Sequence, residues 1–151
     1  MKKIFVTRKL LKENEERLQE LFDAKLNSND QIYTAEEIIK ESKGFDGIFS
    51  SITDPINSDT IKKLSNSIKI IANGAVGFGN IDIEAARERN IAVTNTPDVL
   101  TDATADIQIL ILLGASRKAH EGRIAAEKQD WKWSCLLYTS DAADDSLRVD
   151  L

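Results

Sequence analysis

Ile70-Ile71-Ala72-Asn73-Gly74-Ala75-Val76-Gly77-Phe78-Gly79-Asn80-Ile81-Asp82 decides the fold of this chain. A β-branched run stops at an asparagine, three glycines follow within six residues, and Asp82 then opens a stretch of helical spacing. The pattern is strand, glycine loop, helix. Three glycines let the backbone turn tightly and bring its N–H groups close to a ligand. With the helix start that follows, the loop is a natural place for a carboxylate or phosphate. It is not the dinucleotide fingerprint. Gly77 and Gly79 supply GxG, but Asp82 stands where the third glycine belongs, and an acid there opposes a pyrophosphate. The acid expected after the next strand is missing too, since Val93 leads to Thr94-Asn95-Thr96. On spacing alone, a tight turn with no ligand remains the other reading.

The same alternation extends on both sides. Lys3 to Thr7 reads as a buried strand, and Leu10 to Leu26 as a helix with Leu11, Leu18, Leu21 and Phe22 on one face. Ile32-Tyr33 is a brief extended piece, and Thr34 to Glu37 forms a capping box for a helix ending near Gly44. Phe45 to Ser50, Ser67 to Ala72 and Ile91 to Asn95 are further strands. Ser58-Asp59 opens a short helix through Ile61 and Leu64, and the helix from Ile81, started by Asp82, stops at Asn90. Strands alternating with helices predict an α/β fold, a flavodoxin- or Rossmann-like parallel sheet covered on both faces. Ligands then collect at the carboxyl ends of the strands, after Thr7, Phe49, Ala72 and Asn95.

From Pro97 the pattern changes. Ile107 to Leu113 is apolar nearly all round, which predicts a helix buried on more than one side. Residues before it can cover one side, so a second domain is expected to cover the other; a central helix within one domain is the alternative. Ser116 to Gln129 continues as polar, amphipathic turns, and Trp131 and Trp133 read as packing residues at a domain border. The only histidine, His120, lies between Lys118 and Glu121 and reads as a surface residue, with no nucleophile or carboxylate at catalytic spacing.

Residues 135–151, Cys135 to Leu151, stand apart. Their first eleven residues back-translate onto the end sequence of a common transposon-based sequencing adapter, so 135–151 is expected to be a non-native tail. A natural acidic tail is the alternative. The chain carries 25 acidic and 20 basic residues, a net charge of −5, and the tail holds four of those aspartates against one arginine. What remains is near neutral with no basic block, which gives no argument for nucleic acid or an anionic membrane. The one cysteine, Cys135, lies in the tail, so no disulfide or thiol chemistry is expected in 1–134. The apolar run after Lys2-Lys3 is too short for a signal peptide, and no stretch reaches the roughly 18 apolar residues that span a bilayer. A cytoplasmic location is expected.

Residues 70–117 resemble the D-isomer-specific 2-hydroxyacid dehydrogenases, with closest resemblance to the glyoxylate and hydroxypyruvate reductase branch. The resemblance rests on the glycine loop ending Asn80-Ile81-Asp82, on Asn95-Thr96-Pro97-Asp98-Val99-Leu100-Thr101 and on Ala103-Thr104-Ala105-Asp106, and it extends over residues 3–134. It implies a substrate-binding domain over 1–100, an inter-domain helix and the start of a dinucleotide-binding domain over 101–134, and a second domain that is missing. It implies hydride transfer between NAD or NADP and a small 2-oxo or D-2-hydroxy acid. Main-chain N–H groups at Val76 and Gly77 would hold the substrate carboxylate. Thr104 would touch the nicotinamide end of the cofactor, and Ile52-Thr53 would face the cleft. The family usually carries Asp where this chain has Gly79. Its GxGxxG loop and its catalytic Arg, Glu and His have no counterpart here, so no residue of this chain is expected to be catalytic and the fragment is expected to be inactive. A homodimer is implied for the full-length protein. A phosphoglycerate dehydrogenase type is the near alternative, though no basic cluster marks the glycine loop. A stand-alone flavodoxin-like binding module is another. A receiver domain is disfavoured, because Thr7-Arg8 and Asn73-Gly74 replace the acids it needs.

Overall fold

The computed structural model describes residues 1–129. The expected tail and the tryptophans at 131 and 133 lie outside the described residues. The chain divides into two compact units, Met1–Val99 and a second beginning at Leu100.

The first unit is a five-stranded parallel sheet with strand order β2-β1-β3-β4-β5. The strands are β1 (Lys3–Val6), β2 (Asp23–Lys25), β3 (Gly47–Ser50), β4 (Ile70–Asn73) and β5 (Ala92–Thr94). The helices between them are α1 (Lys12–Leu21), α2 (Ala35–Glu41), α3 (Ser58–Lys63) and α4 (Ile83–Glu88). Right-handed crossovers place α1 on one face of this strand order and α2, α3 and α4 on the other. In keeping with that, α3 packs against both α2 and α4.

The core is a row of side chains across the sheet. Phe5 pairs in register with Ile48, Ile48 with Ile71, and Ile71 with Val93. Period-two alternation turns this row to one face. Ile38, Ile61, Leu64, Ala85 and Ala86 of the three helices close over it, all buried. Burial of each large apolar side chain contributes roughly 1.5–3 kcal/mol, so this layer carries the unit. Tyr33 and Phe45 flank Phe5 with ring centroids 5.3 and 5.9 Å away.

Two expectations in this unit need correction. Leu10 to Leu26 is not one helix: α1 ends at Leu21, and Asp23–Lys25 forms the edge strand β2, held by a bond from Asp23 N to Lys2 O and by parallel pairing with β1. Ile32-Tyr33, read as a brief extended piece, pairs with no strand, and its tyrosine serves the core. Asn57, not Ser58 or Asp59, caps α3, because its side chain accepts from Thr60 N at 3.0 Å. The other caps hold: Thr34 and Glu37 form a capping box on α2, and Asp82 caps α4. Gly44 takes φ +81°, the left-handed turn that glycine adopts at no steric cost, and Asn90 does the same after α4 at φ 54°.

The second unit holds α5 (Thr101–Ser116) and α6 (Ala119–Glu127). The continuous helix expected beyond Ser116 is broken, since Lys118 has φ 49° and restarts the chain as α6. No residue of α5 is buried: Ile107, Ile109, Leu110, Ile111, Leu112 and Leu113 are between 53 and 68% exposed. Burial on more than one side is therefore not achieved within the described residues.

Candidate functional site

The glycine loop lies at the carboxyl end of β4, where a doubly wound sheet presents its ligand-binding loops. It rests on buried polar groups. Asn73, the last residue of β4, is 2% exposed and accepts from Ser50 Oγ at the end of β3 (3.2 Å). Asn80 closes the loop by donating its side-chain amide to Ser51 O and Asp54 O. Ile56 N donates to Asn80 O and Asp82 N to Ile56 O, so the far end is tied to the chain after β3. Asp54 is fully buried and accepts at one oxygen from Thr7 Oγ1 and Ser51 N. The ends of β1, β3 and β4 thus share one polar network beneath the loop.

Three consecutive carbonyls of the loop are fastened. Ala75 O accepts from Thr96 N (3.0 Å), Val76 O from Asn95 Nδ2 (2.8 Å) and Gly77 O from Asn73 Nδ2 (2.8 Å). A trans peptide sets each carbonyl opposite the next N–H, and this chain has no cis peptide bond among the described residues. The N–H groups of Val76, Gly77 and Phe78 therefore point away from their carbonyls' partners. None of the three donates to another group of the described residues. Such N–H groups suit an anion, and Val76 at 41% exposed leaves them reachable.

The glycines act differently from the expectation. None of Gly74, Gly77 or Gly79 uses a left-handed φ. Gly74 is the tightly packed one, because a Cβ there would meet the Phe49 ring at 3.1 Å. A Cβ on Gly77 would meet only Ile52 Cδ1, at 3.7 Å, and one on Gly79 would meet nothing within 4 Å. Ile52, named from sequence as facing the site, thus lies beside Gly77. Nor does α4 offer its N-terminus to an anion: it has six residues, and Asp82 takes the Ala85 N–H itself (2.9 Å). The loop's anion character comes from its own peptides.

Around the loop, Phe78 and Asn95 also line a concavity of about 530 Å³ beside β5, with Arg87 and Thr94. At the end of β1, Arg8 grips Asp30 through Nε and Nη2 and reaches Thr53 Oγ1 through Nη1. The Arg8 guanidinium, helped by the Lys9 N–H, holds the Asp30 carboxyl well below the usual carboxylate range. Thr104 lies in the first turn of α5, exposed, with its N–H donated to Leu100 O at 2.8 Å. His120 is exposed on α6. Among the described residues no three His, Cys, Asp or Glu side chains gather into a metal site, and no helix is long and apolar enough to cross a membrane. Sequence reasoning found the loop but missed its fasteners. Asn73 and Asn95 carry a signal only in their places at the ends of adjacent strands.

Comparison with known proteins puts this geometry in context. The profile of a family described as D-isomer specific 2-hydroxyacid dehydrogenase, catalytic domain, matches residues 4–145. A glyoxylate reductase of Pyrococcus horikoshii is 35% identical over 130 residues, covering 86% of this chain and 39% of that protein. A glycerate dehydrogenase of Hyphomicrobium methylovorum is 31% identical over 144 residues, 95% of this chain and 45% of that protein. Among solved structures, the TT0316 protein of Thermus thermophilus superposes with a TM-score of 0.81 at 34% identity, over 92% of this chain and 45% of that one. The chain thus spans less than half the length of the relatives it matches.

Proposed function

Since this chain belongs to the D-isomer specific 2-hydroxyacid dehydrogenase family, we propose that its first unit is the substrate-binding part of an oxidoreductase. The reaction is hydride transfer between NAD or NADP and a small 2-oxo acid or D-2-hydroxy acid, with glyoxylate or hydroxypyruvate as the substrate. The observation that carries this reading is the fastened glycine loop, whose Val76 and Gly77 N–H groups are turned away from their carbonyls' partners. They would hold the substrate carboxylate. Hydrogen bonds to a charged acceptor contribute roughly 1.5–3 kcal/mol each, enough for two to orient so small a molecule.

The residues here do not fit the dinucleotide's pyrophosphate. The GxG at Gly77 and Gly79 lacks its third glycine, and Asp82 in that place is engaged as the cap of α4. Thr104 alone is assigned to the cofactor, at the nicotinamide end. The Arg, Glu and His that the family uses for carbonyl polarisation and proton transfer have no counterpart among these residues, and exposed His120 does not replace them. The full-length protein would be a cytoplasmic homodimer. A substrate bearing an extra phosphate is disfavoured, because Arg8, near the carboxyl end of β1, is already engaged with Asp30.

The test has two arms. The purified chain, given NADH and glyoxylate, should show no loss of NADH absorbance; measurable turnover would overturn the assignment of the catalytic groups elsewhere. Glyoxylate titrated into the ¹⁵N-labelled chain should shift the amide signals of Val76 and Gly77. No shift at either would remove the carboxylate reading.

A further inference from the structure

We infer that Asn73 and Asn95 are positioning residues for the carboxylate loop, fixing the direction of its N–H groups by holding the carbonyls on their far side. This inference rests on the carboxylate reading proposed above and assigns the parts that make it work.

A glycine loop without tethers can rotate its peptide planes. Rotating one plane by half a turn exchanges the N–H facing an anion for a carbonyl oxygen, which repels it. The loop Gly74–Gly79 has two glycines, Gly77 and Gly79, whose neighbourhood would admit a side chain without a steric clash, so packing does not hold these planes. Hydrogen bonds do. The plane between Val76 and Gly77 is held by Asn95 Nδ2 on Val76 O. The plane between Gly77 and Phe78, which carries the neighbouring Phe78 N–H and fixes Gly77 from its far side, is held by Asn73 Nδ2 on Gly77 O. The plane between Ala75 and Val76 is held by the main chain, through Thr96 N, and needs no side chain.

The two asparagines differ in how they are anchored. Asn73 is buried, receives Ser50 Oγ at its own oxygen and also reaches Asn80 Oδ1 (3.3 Å), so it belongs to the interior network. Asn95 follows β5 and is exposed, with Val76 O as its side-chain partner. Only an amide serves at these positions among similar-sized side chains. Aspartate would set a carboxylate against the carbonyl it must hold, and leucine has no donor.

Asn95 is the position to test, because its exposure separates loop geometry from folding. Glyoxylate is titrated into the labelled chain and into its Asn95→Ala and Asn95→Asp variants, following the amides of Val76, Gly77 and Phe78, with a urea midpoint measured for each. Expected are glyoxylate-dependent shifts in the parent chain, an apparent affinity at least about tenfold weaker in both variants, and an unchanged urea midpoint. If the parent responds and the variants bind equally well, the positioning role is overturned while the carboxylate reading stands. If affinity falls only together with the urea midpoint, Asn95 is a structural residue and the inference fails. If the parent shows no response at these amides, the carboxylate reading fails and takes the inference with it.

Discussion

Thr7 Oγ1 donates to Asp54 Oδ2 at 2.5 Å, joining the end of β1 to the loop that follows β3 beneath the glycine loop. Phe49 O accepts from the Thr7 N–H at 3.0 Å and also lies 3.2 Å from Oγ1, so the hydroxyl has two acceptors in reach and the Asp54 oxygen is the nearer. Asp54 is fully buried, Ser51 N is the other donor to the same oxygen, and Oδ1 has no partner among the described residues. Thr7→Val keeps the shape and removes the donor. The expected loss is about 1.5–3 kcal/mol, the range for hydrogen bonds to charged groups. Thr7→Ser keeps the hydroxyl and should lose under about 1 kcal/mol, the worth of one buried methyl. Urea unfolding of the two variants decides it; equal midpoints would show that the bond carries no stability.

Three glycines should respond to alanine in three ways. At Gly47 a Cβ would meet Ile70 Cγ2 at 2.8 Å, Ile4 Cδ1 at 3.1 Å and Ile70 O at 3.3 Å inside the sheet. Overpacking of that kind costs about 1–3 kcal/mol. Gly44 has open space but φ +81°, so strain alone should cost about 1 kcal/mol. Gly79 has neither obstacle, and Gly79→Ala should change stability by less than about 0.5 kcal/mol. Thermal or urea denaturation gives the order, and a Gly79→Ala variant as damaged as Gly47→Ala would contradict the steric account.

The contrast between β3 and β2 explains how much of this was legible. Gly47 to Ser50 and Ile70 to Asn73 announce themselves by apolar runs of the kind central parallel strands carry, with Gly47, Ile48 and Ser50 buried in β3 and Ile71 and Asn73 in β4. Asp23-Ala24-Lys25 does not, since an edge strand with two exposed polar residues is held by pairing with β1 rather than by propensity. The candidate site divides the same way. Its loop was visible through glycines and the Asp82 cap. Its polarity was not, because the fastening of Val76 O and Gly77 O depends on Asn95 and Asn73 meeting the loop from separate strand ends. Likewise, nothing local marks Thr7 and Asp54, 47 positions apart, as partners.

The Arg8–Asp30 pair gives stability a pH signature. Arg8 and the Lys9 N–H depress the folded-state pKa of Asp30 below its unfolded value. A depressed carboxylate stabilises the fold at pH above its unfolded pKa, about 3.9, and that contribution fades as pH falls toward the folded value. Asp30 is surface-exposed, so the effect is modest. The chain should therefore exceed Asp30→Asn in stability by a constant amount from neutral pH down to about pH 4, and the two should converge below it. Urea midpoints across an acid series test this; a gap that widens on acidification would reverse the sign and exclude the ion pair as its source.

The helix α5 predicts association. Ile107, Ile109, Leu110, Ile111, Leu112 and Leu113 are all more than half exposed, and Gln108 is the one polar residue among them. Contiguous exposed apolar surface of this kind drives self-association or docking. The purified chain should show concentration-dependent oligomers in sedimentation velocity. Leu110→Lys combined with Leu112→Lys puts charges on two sides of the helix at 63 and 68% exposed positions, where they meet water rather than a core. The double variant should shift the chain toward monomer and leave its urea midpoint unchanged, because both substituted side chains are exposed. A parent chain that stays monomeric at all concentrations, or a variant that associates equally, would mean that the apolar run of α5 does not drive assembly.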